Sequence, residues 1–278
     1  MNKRKSRSGV EPNDQKSVVY PEPERVRFGR AFQKFIAALA ALPLLAQDPR
    51  ELVKEVERRA KANSQLYEGA LTVTDAKSRV TEKRWQYSRL GSFGDSKAVL
   101  RFTAPAEVKG VAILIHNHMD RASDQWMWTP ALHRDRRIAL QDRSTRFFGT
   151  DFSFEDLEER DANQFQYKVL GEETIDGKKC WKLESTPVEG KRSQYTHSHV
   201  WVRQDIYVFV RIDAFKKEKL VRRIEYRNFE QVKNIWTARS IEVFDAARNS
   251  RTVLKFDKLD YNVPLDESQF TLQSLRRG

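Results

Sequence analysis

Two pairs of histidines have a spacing that could hold a metal ion. His116 and His118 are two residues apart, as are His197 and His199, so within β-strands each pair lies on one face. If the two pairs met, their imidazoles could form a tetra-histidine metal site. The His-x-His spacing is common by chance, however, and nothing in the sequence brings the pairs together. We therefore expect no metal ion and no other cofactor.

The sequence contains none of the motifs of common enzyme classes. A Gly-x-Ser-x-Gly elbow, a phosphate-binding loop and a His-Glu-x-x-His zinc motif are all absent. The single cysteine, Cys180, lies in a strand pattern and resembles a small buried hydrophobic residue more than a nucleophile. The paired acids Glu158 and Glu159 stand in a charged run typical of a surface. We expect no enzymatic activity.

A group of arginines suggests another kind of site. Arg134, Arg136 and Arg137 could hold a phosphate or a lipid head group through bidentate hydrogen bonds. Alternatively, they could pair with the carboxylates of residues 151–157 and fix a loop. We favour this pairing, in which the acidic partners would be Asp151, Glu155 and Asp156.

The net charge bears on the class of partner. The chain of 278 residues carries a formal charge of +12, which favours anionic partners. Basic and acidic residues are interspersed, however, and the sequence has no long basic run and no nucleic-acid-binding motif. We expect no nucleic-acid partner and only a modest preference for anionic surfaces.

The N-terminal region has the pattern of an export signal. Residues 25–34 are rich in positive charge and precede an apolar run at 35–46. This run is shorter than the roughly 20 residues of a membrane-spanning helix, and it ends in small residues that suit cleavage after Ala46. We expect residues 1–46 to be an export signal with a polar leader, and residues 47–278 to form a single domain.

After the signal, the hydrophobic period predicts one helix followed by strands. Asp48 can cap a helix that begins at Pro49 and extends to about Leu66. After Gly69 the apolar residues alternate, and the run at 111–115 is apolar on both faces. About ten strands with short connections indicate an antiparallel meander. We expect a mainly β (α+β) fold, a curled sheet or barrel closed by the N-terminal helix.

Several segments in order resemble the outer-membrane lipoprotein-sorting proteins, which have a LolA-like fold. Residues 100–110, LRFTAPAEVKG, are similar to the family segment RF..PA.VKG, and residues 124–132, DQWMWTPAL, to DQWLYLPAL. Residues 148–157, FGTDFSFEDL, are close to GSDFSYEDL. The resemblance covers essentially the whole chain after the signal, although the polar insert at 115–124 is longer than the family pattern.

This resemblance implies a half-open antiparallel β-barrel of about ten strands wrapped around an N-terminal helix. It also implies an apolar cavity that shields acyl chains in the periplasm. The implied partners are lipid or lipoprotein acyl chains, an inner-membrane transporter or an outer-membrane acceptor, and membrane surfaces touched transiently.

Apolar side chains are the candidates for the wall of such a cavity. The candidates are Trp85, Tyr87, Leu100, Phe102, Ile113, Ile115, Trp126, Trp128, Phe147, Phe148 and Trp181. Phe147 and Phe148 precede Gly149 and could form a flap over the cavity or anchor a loop. Taken one by one, such side chains more often fill a packed core.

A filled core would favour a non-carrier β-domain that scaffolds a cell-envelope complex, and a large cavity would favour the carrier.

Overall fold

The computed structural model describes residues 48–277, and the predicted export signal lies outside the described residues. The first element is the helix α1 (Pro49–Ala60). The side chain of Asp48 accepts a hydrogen bond from the backbone N–H of Arg50 (2.9 Å), and Pro49 occupies the first turn, where a backbone N–H would have no helical partner. The helix ends at Ala60, earlier than expected, because the chain from Ser64 onward pairs as a strand with two neighbours.

In the described part of the chain, thirteen strands form one antiparallel sheet. They are β1 (Ser64–Thr74), β2 (Val80–Leu90), β3 (Ser96–Ala104), β4 (Ala112–Asn117), β5 (Asp124–Thr129), β6 (Arg134–Arg137), β7 (Phe165–Ile175), β8 (Lys178–Pro187), β9 (His197–Arg203), β10 (Phe209–Lys216), β11 (Lys219–Val232), β12 (Ile235–Asp245) and β13 (Ser250–Tyr261). Short 3₁₀ helices lie at Pro130–Leu132, Leu140–Asp142, Glu155–Leu157, Ala162–Gln164 and Glu267–Phe270, and α2 (Leu272–Arg277) is the last helix.

The mainly β, antiparallel fold class is therefore confirmed, but the sheet has thirteen strands instead of about ten. The strand β6 illustrates the difference. Its sequence, RDRR, contains no apolar residue, so it has no alternating hydrophobic pattern from which a strand could be predicted.

The sheet consists of two meanders. In sheet order the strands run β6-β5-β4-β3-β2-β1-β13-β12-β11-β10-β9-β8-β7. The meanders β1–β6 and β7–β13 meet where β1 pairs with β13, with Leu71 opposite Leu254. The strands β6 and β7 are the two edges of this open sheet, and residues 138–164 connect one edge to the other.

One face of the sheet, which we call the inner face, is covered by α1 and by the connection between β6 and β7. The helix buries Leu52, Val53 and Val56 against side chains of β8 to β10, including Leu183 and Val200. The connection fills the part of the inner face formed by β1 to β4 with four buried side chains. These are Ile138, Phe147, Phe152 and Phe154.

The opposite, outer face is covered near β4 and β5 by the C-terminal segment. Phe270 and Leu275 pack there against Leu114 and Trp128. The apolar run at 111–115 is thus covered on both faces, as its sequence pattern predicts. Within residues 48–277, no helix is both long and apolar enough to cross a membrane.

Candidate functional site

A cavity of about 480 Å³ lies on the inner face, between α1, the sheet and residues 155–160. We call it the inner cavity. Its wall is mainly apolar, because each strand presents every second side chain to the inner face. Representative wall residues are Tyr67, Trp85, Tyr87, Leu100, Ile224 and Phe256. The cavity falls within the range of about 300–1,000 Å³ that is usual for small-molecule sites.

Aromatic rings form the part of the wall contributed by β1, β2 and β13. The rings of Tyr67 and Tyr87 stack with centroids 5.6 Å apart. Phe256 presents its ring edge-on to Tyr67 at 5.5 Å and to Trp85 at 5.3 Å. Such pairs favour particular ring orientations by about 0.5–1.5 kcal/mol beyond the burial of their area. This part of the wall is therefore preorganised rather than collapsed into the cavity.

The polar part of the lining contains a buried ion pair between Arg89 of β2 and Glu159 of the connection. The two side chains are only 9% and 6% exposed. The carboxylate of Glu159 also accepts hydrogen bonds from the backbone N–H of Phe93 (2.7 Å) and from the hydroxyl of Ser96 (2.9 Å). Glu159 thus ties the connection between β6 and β7 to the beginning of β3.

A second ion pair ties the same connection to the other meander. Arg222 of β11 pairs with Asp156, and both side chains are buried. The hydroxyl of Tyr195 donates to the carboxylate of Asp156 at 2.7 Å, and the backbone N–H of Ser153 donates to it at 2.7 Å. Residues 155–160 are therefore held on both sides of the inner cavity by buried charges.

Glu57 of α1 is an ionisable group in the lining with an unusual environment. Burial raises the pKa of its carboxyl from 4.5 to about 7, and the nearby carboxylates of Asp161 and Glu159 add to the effect. The backbone N–H of Ala162 donates to Glu57 and partly opposes this shift. Glu57 therefore changes its charge near neutral pH, next to the cavity.

We expect Glu57 to make the folded state less stable as pH rises from 5 to 8. Because its folded pKa lies above its unfolded value, the folded state binds more protons in this window, and the free energy of unfolding falls by on the order of 1–2 kcal/mol. Glu57→Gln should remove that part of the pH dependence. Denaturant unfolding at pH 5 and pH 8 measures it.

Glu55→Gln on the same helix is the matched control. Hydrogen bonds from Arg58 and Arg59 lower the pKa of Glu55 to about 2, so Glu55 is ionised in the folded state and mostly ionised in the unfolded state throughout the window. This variant should keep the wild-type difference between pH 5 and pH 8. A Glu57→Gln protein with that same difference would contradict the assignment.

The structure places three of the predicted wall residues, Trp85, Tyr87 and Leu100, in the lining of the inner cavity. The other predicted inner-face residues lie beside it. Phe102, Ile113, Ile115 and Phe147 are buried in the core between β1–β4 and the connection, and Phe148 packs against that core. Trp181 packs under α1, with its ring 5.2 Å from that of Tyr207.

Trp126 and Trp128 lie on the outer face, which corrects the prediction that they line the cavity. The register between β4 and β5 explains why the two side chains point outward. Trp126 is opposite Leu114, and Met127 is opposite Ile113, which points inward. The two tryptophans therefore share the outer face with Leu114 and pack near α2.

The arginines Arg134, Arg136 and Arg137 are exposed on the edge strand β6, away from the cavity lining. Arg137 pairs with Asp124, and Arg136 lies 3.9 Å from Asp142. The prediction that these arginines pair with the carboxylates of residues 151–157 is therefore wrong. The alternative, a site for a phosphate or a lipid head group, would lie away from the inner cavity. Other arginines neutralise that segment: Arg146 pairs with Asp151 at 2.9 Å, and Arg222 pairs with Asp156.

The two histidine pairs do not meet in the sheet. His116 and His118 lie at β4, and His197 and His199 lie on β9, with seven strands between them in sheet order. The imidazole of His116 is instead 2.9 Å from the backbone carbonyl of Phe270. A tetra-histidine site is therefore excluded for the described part of the chain.

Several residues that line the cavity were not predicted from the sequence, notably Tyr67, Tyr226, Ile241 and Phe256. The alternation of β11 to β13 marks Tyr226, Ile241 and Phe256 as residues of a buried face. The pattern does not show that β1 pairs with β13. This pairing places Phe256 beside Tyr67 and Trp85, so the cavity wall could not be predicted from alternation alone.

Comparisons with known proteins agree with this architecture. A family described as "Uncharacterized protein" matches residues 94–277 of the chain. Crystal structures of two relatives each have a TM-score of 0.78. A DUF1329 family protein from Desulfovibrio piger is 27% identical, over 82% of this chain and 100% of that one. A putative outer membrane lipoprotein-sorting protein domain from Vibrio parahaemolyticus is 25% identical, over 82% and 98%.

A third structure shows the fold at lower identity. A LolA superfamily protein from Nitrosomonas europaea is 19% identical, over 82% of this chain and 100% of that one, with a TM-score of 0.66. A search of curated proteins finds no match to the sequence. The chain therefore belongs to the family described as "Uncharacterized protein", and its resemblance to the LolA-like outer-membrane lipoprotein-sorting proteins is confirmed.

Proposed function

We propose that the protein is a periplasmic carrier that shields an acyl chain of a lipid or lipoprotein in the inner cavity during transfer between membranes. The observation that carries this proposal is the apolar cavity between α1 and the inner face. It also argues against a completely filled core, the feature expected of a scaffold domain. The relative from Vibrio parahaemolyticus, whose structure is described as a lipoprotein-sorting domain, supports the same class of cargo.

The physical chemistry of the wall suits this role. Transfer of acyl carbon from water to an apolar site is worth about 0.8 kcal/mol per methylene. The rings of Tyr67, Trp85 and Phe256 supply rigid apolar surface that need not reorganise when a chain enters. No catalytic step and no nucleic acid are part of this proposal.

The proposal includes a shape for the carrier. The sheet would curl around α1 as a half-open barrel, with residues 155–160 closing one side of the cavity. The burial of Leu52, Val53 and Val56 against β8–β10 supports such an arrangement. An inner-membrane transporter or an outer-membrane acceptor would be the donor or recipient of the cargo, and contact with either membrane would be transient.

Filling the inner cavity should weaken lipid binding. Ala214 of β10 is 3% exposed and lines the cavity, so Ala214→Trp would place an indole where the acyl chain is proposed to lie. We expect the affinity for a fluorescent fatty acid to fall at least about tenfold, the loss expected when around two buried methylenes no longer fit. Fluorescence titration of the folded variant measures this.

Two further variants make the test decisive. Ala60→Trp fills the same cavity from α1 and should also weaken binding, which guards against a folding defect specific to Ala214→Trp. Leu132→Trp adds the same ring at a side chain that is 71% exposed, and it should bind like the wild type. Unchanged binding by both cavity variants, or no lipid in native mass spectra of the protein purified from its own envelope, would refute the carrier.

A further inference from the structure

Three side chains with metal-binding atoms converge on the outer face of the sheet, away from the inner cavity. They are Glu184 of β8 and His197 and His199 of β9, and their ligand atoms all lie within 4.8 Å of one another. The Nε2 atom of His199 is 3.9 Å from a carboxylate oxygen of Glu184. All three residues are half-buried, so an ion could reach them from solvent.

The strand register brings these groups together. Glu184 and His199 are direct cross-strand partners, and His197 precedes His199 by two residues on the same face of β9. Cross-strand and same-face neighbours in a sheet lie within reach of one another's side chains. The pleat therefore presents two imidazoles and one carboxylate as a triangle, independent of any flexible loop.

The surroundings hold the imidazoles in orientations suited to binding. The hydroxyl of Thr196 lies 3.3 Å from Nδ1 of His197, which leaves Nε2 of that ring for a ligand. The ring of Phe215 stacks on that of His197, with centroids 4.8 Å apart, and its centroid lies 4.9 Å from that of His199. Hydrogen bonds to the second ring nitrogen and packing of this kind are what fix histidine ligands at known metal sites.

Two of the neighbouring charged groups, Lys182 and Asp213, are already paired with other residues. The ammonium group of Lys182 donates to Glu173 at 2.7 Å rather than to Glu184. Asp213, which is opposite His199 on β10, accepts two hydrogen bonds from Arg223 at 2.7 and 2.6 Å. Within residues 48–277, the carboxylate of Glu184 makes its closest charged contact with His199. Glu184 is thus available as the anionic ligand.

We propose that Glu184, His197 and His199 bind one divalent transition-metal ion of the zinc type. Two imidazoles and a carboxylate form a ligand set that such ions use, and a fourth position would remain open to water. Zinc binds nitrogen and carboxylate oxygen at about 2.0–2.2 Å, so the three side chains must close around the ion by rotating about their side-chain torsions.

Calorimetric titration of the full-length protein with ZnCl₂ tests this proposal. We expect about one ion per chain, and no comparable site for MgCl₂, because Mg²⁺ prefers oxygen ligands. His199→Ala and Glu184→Gln should each weaken Zn²⁺ binding by more than about tenfold, since even outer-shell substitutions at metal sites cost 10–100-fold. Zn²⁺ should raise the Tm of the wild type but not that of these variants.

The other histidine pair supplies the control. His118→Ala removes a histidine of the same His-x-His spacing at β4. Among the described residues, His118 does not belong to a group of three metal-binding side chains. Zn²⁺ binding should be unchanged in this variant. The proposal is overturned if the wild type binds no Zn²⁺, if Glu184→Gln and His199→Ala both bind like the wild type while folded, or if His118→Ala causes the larger loss.

Discussion

Glu159→Ala should lower the free energy of unfolding by about 3–5 kcal/mol, because it leaves the buried guanidinium of Arg89 without its charge partner. The substitution also removes the acceptor for the backbone N–H of Phe93 and the hydroxyl of Ser96. Each lost acceptor leaves a partly buried donor unsatisfied. Denaturant unfolding of the purified variant measures the loss.

Two comparisons separate this effect from a general effect of losing a carboxylate. Glu242→Ala breaks an ion pair with Arg251, a side chain that is 53% exposed, and it should change stability by less than about 1 kcal/mol. The double variant Arg89→Leu/Glu159→Leu should be more stable than Glu159→Ala, since no unpaired charge remains buried. Equal stability of Glu159→Ala and Glu242→Ala would show that the buried pair is unimportant.

Phe102→Ala is expected to destabilise the protein by about 3–5 kcal/mol through the cavity it leaves in a packed core. The side chain of Phe102 is completely buried, and its ring stacks on that of Phe147 with centroids 5.4 Å apart. The void would lie next to the connection between β6 and β7, and only a movement of this connection could fill it. Thermal or denaturant unfolding gives the magnitude.

Trp236→Ala, at an aromatic side chain that is 38% exposed, is the control for Phe102→Ala and should cost clearly less, because less apolar surface is lost from the core. Lipid titration distinguishes core from cavity wall. Phe102 is absent from the lining, so Phe102→Ala should keep the wild-type affinity at temperatures where it is folded. A stable Phe102→Ala protein that fails to bind lipid would place Phe102 in the site instead.

The local pattern of the sequence determined much of the fold. The cap at Asp48, the proline at 49 and the stripe of Leu52, Val53 and Val56 specify the start and the buried face of α1. Alternation of apolar residues specifies the strands and which side chains of one strand share a face. These features depend on neighbours a few residues apart, which is why they can be predicted from the sequence alone.

Only the tertiary structure decided which face of each strand is the inner one. Alternation marks Trp126 and Trp128 as sharing a face, but pairing with β4 sets that face outward. The same holds for the arginines. The sequence does not show which arginines neutralise the segment at 151–157, because all arginines carry the same charge. The packing brings Arg146 and Arg222 to this segment.

The inner cavity depends on contacts that are distant in sequence. It exists because β1 pairs with β13, with Gln65 opposite Tyr261, and because the connection at 138–164 fills only part of the inner face. Whether apolar side chains fill a core or line a space is a question of volume, set by how these distant elements pack. The types and spacing of residues determine most of the strands and the start and buried face of α1, and the packing between these elements determines the cavity.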